Sequence, residues 1–160
     1  MKKNISIKYL VQGAVIAAIY VALTFVSSAF GLASGVIQLR LSEALCILPI
    51  FTPAAVPGLF IGCLLSNILT GCIFTDIIFG SIATLIGAIF TRMIKSYKLL
   101  PLLPPILSNT IIVPFILKFA YCFEGSYLWF VVTIFIGEFL SCGVLGYILK
   151  KVLEKYKINF

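Results

Sequence analysis

Midway along the chain stands the stretch Thr91-Arg92-Met93-Ile94-Lys95-Ser96-Tyr97-Lys98, in which three cations separate two long apolar regions. Short loops rich in Lys and Arg stay on the cytoplasmic side of a membrane. Two further groups of cations lie near the ends of the chain, namely Lys2, Lys3 and Lys8, and Lys150, Lys151, Lys155 and Lys157. The pattern therefore predicts that both termini and this middle loop face the cytoplasm.

The number of membrane-spanning helices follows from this sidedness. A segment with both ends on one side crosses an even number of times, and each crossing helix needs about 20 apolar residues. We therefore expect four helices before the middle loop and two after it. Numbered helix 1 to helix 6, they are predicted at residues 9–30, 41–51, 58–69, 76–90, 102–119 and 127–149. The expected fold is an all-α integral membrane bundle, with residues 1–160 forming a single domain.

Composition supports a membrane protein over the other classes. Hydrophobic residues make up 62% of the chain and charged residues only 11%, which is too little polar surface to cover a soluble globule. The net charge of +7 does not indicate nucleic-acid binding, because the cations are gathered at helix ends, where they contact anionic lipid. The basic start and first apolar run also resemble a secretory signal, but the length of the run favours a retained helix.

Several kinds of chemistry are absent. The chain has no histidine, which excludes a Ser-His-Asp triad and a His-bearing zinc site. It has no G-x-x-x-x-G-K-[ST] loop, so ATP-driven transport would need another chain. No reacting pair indicates an enzyme, the five cysteines lack metal-site spacing, and no metal or other cofactor is predicted. Cys72 and Cys122 fall on predicted outer loops, where free thiols and a disulfide both fit.

Two helices carry ridges of small residues, which let helix backbones approach closely in a bilayer. The ridge on helix 3 consists of Gly58, Gly62, Ser66 and Thr70. It is typical of packing inside a bundle. The ridge on helix 1 consists of Ala14, Ala18 and Ala22. This second ridge fits either internal packing or the docking of a second membrane subunit.

The carboxylates are the strongest candidates for a binding site. Glu138 lies near the middle of helix 6, where an ionisable side chain is costly and usually faces a cavity or a partner. Its alternative is an ion pair or a protonated carboxyl in a packed core. Glu43 opens helix 2, and Asp76 opens helix 4 either as a binding residue or as a helix N-cap. Glu124 is expected to be a solvated loop charge, with Lys118 as a possible partner.

Other polar and aromatic residues gather at the predicted outer side. Gln38, Arg40 and Ser42 stand where the first loop meets helix 2, which suits a substrate gate, or else a solvated loop followed by a helix cap at Ser42. Asn67 and Asn109 either line a cavity or bond across helices. An aromatic belt at the membrane boundary is favoured over stacking on a ligand for Phe30, Tyr121, Phe123, Tyr127 and Trp129.

Six helices in 160 residues, an alanine ridge and no ATPase motif resemble a substrate-binding S component of an energy-coupling factor (ECF) transporter. Three stretches, the first of them leading into helix 2, more narrowly resemble the QueT family. They are Gln38-Leu39-Arg40-Leu41-Ser42-Glu43-Ala44-Leu45, then Phe51-Thr52-Pro53-Ala54-Ala55-Val56-Pro57-Gly58-Leu59-Phe60-Ile61-Gly62-Cys63, and Asp76-Ile77-Ile78-Phe79-Gly80-Ser81.

This resemblance implies uptake of a queuosine precursor, such as preQ1 or queuine, across the bacterial plasma membrane. It also implies a site in the outer half of the bundle, and docking of helix 1 onto a transmembrane coupling subunit that carries two ATPases. A deazaguanine offers donors that carboxylates can accept, a carbonyl edge that suits Arg40, Gln38 or Asn109, and a ring that can stack on Trp129. The rival hypothesis is a self-contained secondary transporter that uses Glu138 as an ion carrier.

Overall fold

A computed structural model describes residues 7–32 and 38–156. Lys2, Lys3 and Lys157, three of the cations behind the predicted sidedness, lie outside these residues, as does most of the first loop. Within the described part, the chain forms helices and no strand. The predicted all-α class is confirmed.

Six helices follow one another along the described chain. They are helix 1 (Ile7–Ala29), helix 2 (Leu41–Ile50), helix 3 (Ala55–Leu69), helix 4 (Phe74–Met93), helix 5 (Leu100–Phe119) and helix 6 (Tyr127–Lys155). Helices 1, 4, 5 and 6 are long and apolar enough to cross a membrane, whereas helices 2 and 3 are shorter apolar helices. Large apolar side chains remain exposed along the outside of the bundle, as a lipid-facing surface requires.

Helix 2 runs through the interior of the bundle. It is a 3-10 helix of 10 residues, and its eight residues from Ser42 to Pro49 are buried. At about 2.0 Å per residue its length is about 20 Å, which is less than the hydrocarbon core of about 30 Å. Arg92 of helix 4 donates from Nη1 to the carbonyl oxygens of Pro49 at 2.9 Å and Ile50 at 3.0 Å. These bonds satisfy carbonyl groups that a helix end leaves without internal partners.

The turn between helices 2 and 3 is shorter than predicted. Helix 3 begins at Ala55, so Pro57 lies in its first turn and not in the connection. The predicted start of helix 3 at residue 58 was therefore wrong. Proline is tolerated there, because the first backbone N–H groups of a helix have no internal acceptor.

The small residues of helix 3 pack against helix 1, which confirms the predicted internal role of this ridge. A Cβ atom added to Gly58 would lie 2.7 Å from the carbonyl oxygen of Gly13, and one added to Gly62 would lie 2.8 Å from the Cβ of Tyr20. The ridge on helix 1 is different, because Ala14, Ala18 and Ala22 are all exposed. The two helices therefore meet through Gly13 and its neighbours and leave the alanine ridge uncovered within the described chain.

We predict that Gly58→Ala destabilises the protein by about 1 to 3 kcal/mol, since the new methyl group meets backbone atoms that cannot turn aside. The matched control is Gly143→Ala in helix 6, where the nearest atom to an added Cβ is 3.4 Å away. That substitution should change the free energy of unfolding by less than about 1 kcal/mol. Unfolding of both variants in mixed detergent micelles measures the difference. Equal stability of the two would contradict the close contact between helices 1 and 3.

Helix 6 is longer than predicted and irregular in its middle. Its α-helical part Tyr127–Glu138 is followed by a π-helical segment, Phe139–Leu145, and then by Gly146–Lys155. The predicted end at residue 149 was placed where the lysines begin. The helix continues because Leu153 remains buried and Lys150 pairs with Glu154 one turn later, at 3.7 Å.

Helices 4 and 5 also extend beyond their predicted bounds of 76–90 and 102–119. Helix 4 gains a turn at its end, where Arg92 is anchored to the carbonyl groups of helix 2. Helix 5 begins with a 3-10 turn, Leu100–Leu102, which includes the buried Pro101. Proline is compatible with a helix start, so Pro101 begins this helix and does not precede it.

Each of the three sequence clusters contributes a contact at one end of the bundle, called here the basic end. Tyr9, next to Lys8, donates its hydroxyl to the carbonyl of Pro53 at 3.4 Å. Arg92 contacts the nearby end of helix 2, and Lys150 donates to the carbonyl of Lys98. The common location is what the charge pattern predicts for cations on one side of a membrane.

Candidate functional site

At the opposite end of helix 2 from the basic end, polar side chains from four parts of the chain meet. Arg40 donates from Nη1 to Oδ1 of Asn67 at 3.3 Å, and its Nη2 lies 4.0 Å from Oδ2 of Asp76. Tyr121 donates its hydroxyl to the same Asp76 oxygen at 3.2 Å. Asn67 also donates to the backbone carbonyl of Asp76 at 3.3 Å. We call these four residues the Arg40 cluster.

The Arg40 cluster retains unused hydrogen-bonding capacity. Nε of Arg40 and Oδ1 of Asp76 are buried and have no partner in the described structure. Buried polar atoms without partners are rare, because each costs the full loss of its hydration. A cavity of about 270 Å³ adjoins the cluster and is lined by Thr24, Phe25, Ser28, Arg40, Asn67, Thr70 and Cys72. A small polar molecule in this cavity could therefore form hydrogen bonds with the Arg40 cluster.

Two further carboxyl groups are buried between the helices. Asn109 of helix 5 donates from Nδ2 to Oε1 of Glu138 at 3.1 Å, and the same nitrogen lies 3.5 Å from Oε2 of Glu43. Tyr20 of helix 1 donates its hydroxyl to Oε1 of Glu43. Glu43 is 2% exposed and Glu138 is 8% exposed. We call Glu43 and Glu138, joined by Asn109, the acid pair.

The two thiols nearest the acid pair act as donors. Cys46 donates to Oε2 of Glu43 at 3.0 Å, and Cys142 donates to the backbone carbonyl of Glu43 at 3.0 Å. The sulfur atoms and a carboxylate oxygen of Glu43 lie within 4.8 Å of one another, which is a possible set of three metal ligands. Spacing along the sequence did not indicate this set, because the two cysteines come from different helices. In this arrangement the thiols of Cys46 and Cys142 both donate hydrogen bonds to Glu43.

Asp76 does not cap helix 4. The N-cap position is Ile73, and Asp76 is the third helical residue, with its side chain turned to Tyr121 and Arg40. The N-cap alternative was therefore wrong. Burial, followed by the nearby Asp76 carboxylate, raises the pKa of Tyr121 above that of a free phenol. The Tyr121 hydroxyl consequently stays protonated and keeps donating to Asp76.

The remaining polar candidates around helix 2 also lie in the interior. Ser42 does not cap helix 2, as one alternative held, because Arg40 occupies the N-cap position and the Ser42 hydroxyl instead bonds that of Thr24 at 2.8 Å. Gln38 brings its backbone carbonyl so close to Gly137 of helix 6 that no Cβ atom would fit there. Residues 38–43 thus pass between helix 1 and helix 6, directly beside Glu138.

The two candidate asparagines, Asn67 and Asn109, differ in their partners. Asn109 bonds across helices to both members of the acid pair. Asn67 both bonds across helices, to Arg40 and Asp76, and lines the cavity. The two alternatives that the sequence left open are thus combined in this residue. Helix 3 and helix 5 each contribute one amide to the polar interior.

Trp129 lies apart from these residues. Its side chain is 56% exposed on the first turn of helix 6, where its backbone N–H is capped by the Ser126 hydroxyl at 3.2 Å. This exposure agrees with the favoured aromatic belt, and contact of Trp129 with a bound ring stays a prediction. Exposure of Phe30 and Tyr127 agrees with an aromatic belt, but Tyr121 belongs to the Arg40 cluster.

The last loop is stabilised differently from the predicted pairing. Lys118 donates to the backbone carbonyl of Gly125 at 2.8 Å, and no described ion pair joins it to Glu124. Glu124 is exposed, as expected for a solvated charge. Cys72 and Cys122 are free thiols, so the open alternative of a disulfide is not realised.

Sequence reasoning missed the contribution of helix 1 to the site. Tyr20, Thr24 and Ser27 are buried, and they bond Glu43, Ser42 and the backbone N–H of Leu41 respectively. These three polar residues recur at a spacing of three to four, which puts them on one helix face. That periodic polar stripe in an otherwise apolar helix was the available signal.

An apolar helical bundle with membrane-length helices and a buried polar site defines the class of a membrane transporter. The model of the QueT transporter family matches residues 10–155, which is nearly the whole chain. The chain belongs to the QueT transporter family and is accordingly a transporter and not an enzyme. No curated protein and no solved structure matches it.

Proposed function

We propose that the protein is the substrate-binding S component of an ECF importer that takes up a queuosine precursor, preQ1 or a queuine-like deazaguanine, across the bacterial plasma membrane. The single observation that carries this proposal is the combination of the Arg40 cluster and the acid pair inside an apolar bundle. Together they contain three carboxyl groups, one guanidinium and two amides, and a cavity adjoins Arg40.

The chemistry of a deazaguanine matches these groups. Its ring N–H and exocyclic amine are paired donors that one carboxylate can accept, and its carbonyl edge needs a donor such as Arg40. The unpartnered oxygens of Asp76 and Glu138 and the free Nε of Arg40 are available for such bonds. Binding would therefore satisfy atoms that are buried and unused in the free protein.

This function implies six membrane crossings with both termini in the cytoplasm. The contacts of Tyr9, Arg92 and Lys150 at the basic end support this arrangement. Helices 2 and 3 would then cross as a closely packed pair, because neither reaches the length of a full span alone.

We predict that a cysteine replacing Lys95 is labelled by an impermeant thiol reagent only after the cells are permeabilised. The background should carry Cys72→Ser and Cys122→Ser, since these two thiols lie outside the fully buried interior. Glu124→Cys, in the exposed last loop, is the control that should react in intact cells. Labelling of position 95 from outside would contradict the six-helix topology.

Besides its S component, an ECF importer contains a transmembrane coupling subunit and two ATPase subunits. The exposed ridge of Ala14, Ala18 and Ala22 is the proposed docking face, since small residues allow close helix contacts in a membrane. Copurification of these subunits with the protein would support the proposal. Uptake by the protein alone that collapses with the proton gradient would instead support a self-contained secondary transporter.

Calorimetric binding to the purified protein tests the substrate. The ligands are preQ1, preQ0, queuine and guanine, which share the bicyclic ring edge and differ in side chain and charge. Selective binding of a deazaguanine is the expected result. Binding of none of them would contradict the proposed substrate class.

A further inference from the structure

The acid pair has no cation of its own. In the described chain the ion pairs are Arg40 with Asp76, at 4.0 Å, and Lys150 with Glu154 near the basic end. Neither includes Glu43 or Glu138, and the shared partner Asn109 is neutral. The negative charge of the acid pair is therefore not balanced by a partner within the described structure.

The two carboxyl groups are close enough to affect one another. Their bonded oxygens lie 3.1 Å and 3.5 Å from the same Asn109 nitrogen, so they are at most 6.6 Å apart. Two ionised carboxylates at such a separation in an apolar interior repel each other and lose their hydration. The pair is consequently more stable when one of its two negative charges is neutralised.

Other titratable groups around the pair do not remove this imbalance. Those that face it from the surrounding helices are Tyr20, Arg40, Cys46, Cys63 and Cys142. An ordinary phenol and ordinary thiols carry no charge at neutral pH. Arg40 is held by Asp76 and Asn67, and helix 5 contributes only the neutral Asn109. A cation that comes from outside the chain is the missing component.

We propose that the acid pair exchanges its proton for the cationic group of the substrate, a primary ammonium, when the substrate binds. The inference rests on the proposed function and specifies the charge of the ligand. The O–H bond of the protonated carboxyl breaks, the proton leaves to water, and the ammonium group donates to both carboxylates. Oε2 of Glu138, which is buried without a partner, is the free acceptor for the ammonium.

The exchange leaves the net charge of the interior unchanged, because one positive charge replaces another. It needs no oxidant or reductant. Protons and substrate compete for the same oxygens, so affinity should rise with pH. The rise is at most about tenfold per pH unit, as long as the amine, with a pKa of about 10, stays charged.

Calorimetry of the wild-type protein with preQ1, whose aminomethyl group is cationic, tests the exchange. Titrations at pH 7 in buffers with different heats of ionisation should show release of about one proton per ligand bound. The nitrile preQ0 has no cationic group and should release none. If preQ1 binds with a heat that does not depend on the buffer, the exchange is wrong and the proposed function stands. If no deazaguanine binds, both are wrong.

The variant Glu138→Gln assigns the proton to the acid pair. It removes one titratable carboxyl, so the release that accompanies any remaining preQ1 binding should fall from about one proton towards zero. Glu124→Gln, in the exposed last loop, is the control and should release as much as the wild type. Full release by a folded Glu138→Gln protein would overturn the assignment. If this variant fails to fold or to bind, the wild-type buffer series still decides the question.

Discussion

Glu138→Gln is expected to weaken preQ1 binding by about 2 to 5 kcal/mol, which is roughly 30-fold to several thousand-fold in affinity. The glutamine keeps the shape of the side chain but cannot neutralise a cation. Because Glu138 is only 8% exposed, water cannot replace the lost interaction. Glu43→Gln should have an effect of similar size, since Glu43 is buried in the same acid pair. Asp76→Asn should rank next, because Arg40 and Tyr121 already satisfy one of its oxygens.

Calorimetry on folded variants measures this order. Glu124→Gln makes the same chemical change in an exposed loop and should shift affinity by at most about fivefold. Wild-type affinity in both Glu43→Gln and Glu138→Gln would remove carboxylate recognition from the account. The family membership would then be the sole argument for the substrate.

The second large effect is expected on transport and not on binding. Ala18→Leu should abolish uptake by the assembled transporter while preQ1 binding by the isolated subunit remains unchanged. Ala18 is exposed on helix 1, away from the Tyr20 side that faces Glu43, so a larger side chain does not disturb the site. It does prevent close approach of a partner helix over the alanine ridge.

Two controls separate docking from a general effect of bulk. Ala18→Ser keeps the ridge small and should retain uptake. Val132→Phe adds bulk to an exposed position of helix 6 and should also retain uptake. Uptake and copurification with the ATPase subunits are the measurements. Equal loss of binding and uptake in Ala18→Leu would show that the ridge does not serve docking alone.

The sequence predicted the elements whose cause is local. Apolar length determined the long helices, and the charge pattern placed Arg92 and Lys150 at the same end of the bundle. The small-residue spacing predicted the helix 3 ridge. In each case the physical signal lies in a few consecutive or regularly spaced residues.

The sequence could not predict which polar groups meet. Asn109 lies 66 residues from Glu43 and 29 from Glu138, and no periodicity connects them. Trp129 was predicted to stack on a ligand, but it is 56% exposed, unlike the buried polar residues of the site. Tyr121 was assigned to the membrane boundary, although its hydroxyl reaches Asp76. Such assignments depend on how helices are rotated about their axes, which packing decides.

The 3-10 geometry of helix 2 and the π-helical segment of helix 6 were equally inaccessible. Both are departures from the α-helix that tertiary contacts stabilise, and π-helical turns are frequent at functional sites. The π-helical segment begins directly after Glu138 and carries Cys142, which bonds the backbone of Glu43. Local helix propensity gives no indication of either one.

The short helices 2 and 3 bear on how the protein is made. A segment as short as helix 2, with a buried glutamate, is a poor substrate for independent insertion by the translocon. Its turn to helix 3 is tight, and both helices bury their surfaces against helix 1. We therefore expect helices 2 and 3 to insert into the membrane together, as a helical hairpin that packs against helix 1 while the rest of the chain is still being synthesised. Biogenesis of this transporter would then depend on contacts formed before the ribosome has finished the chain.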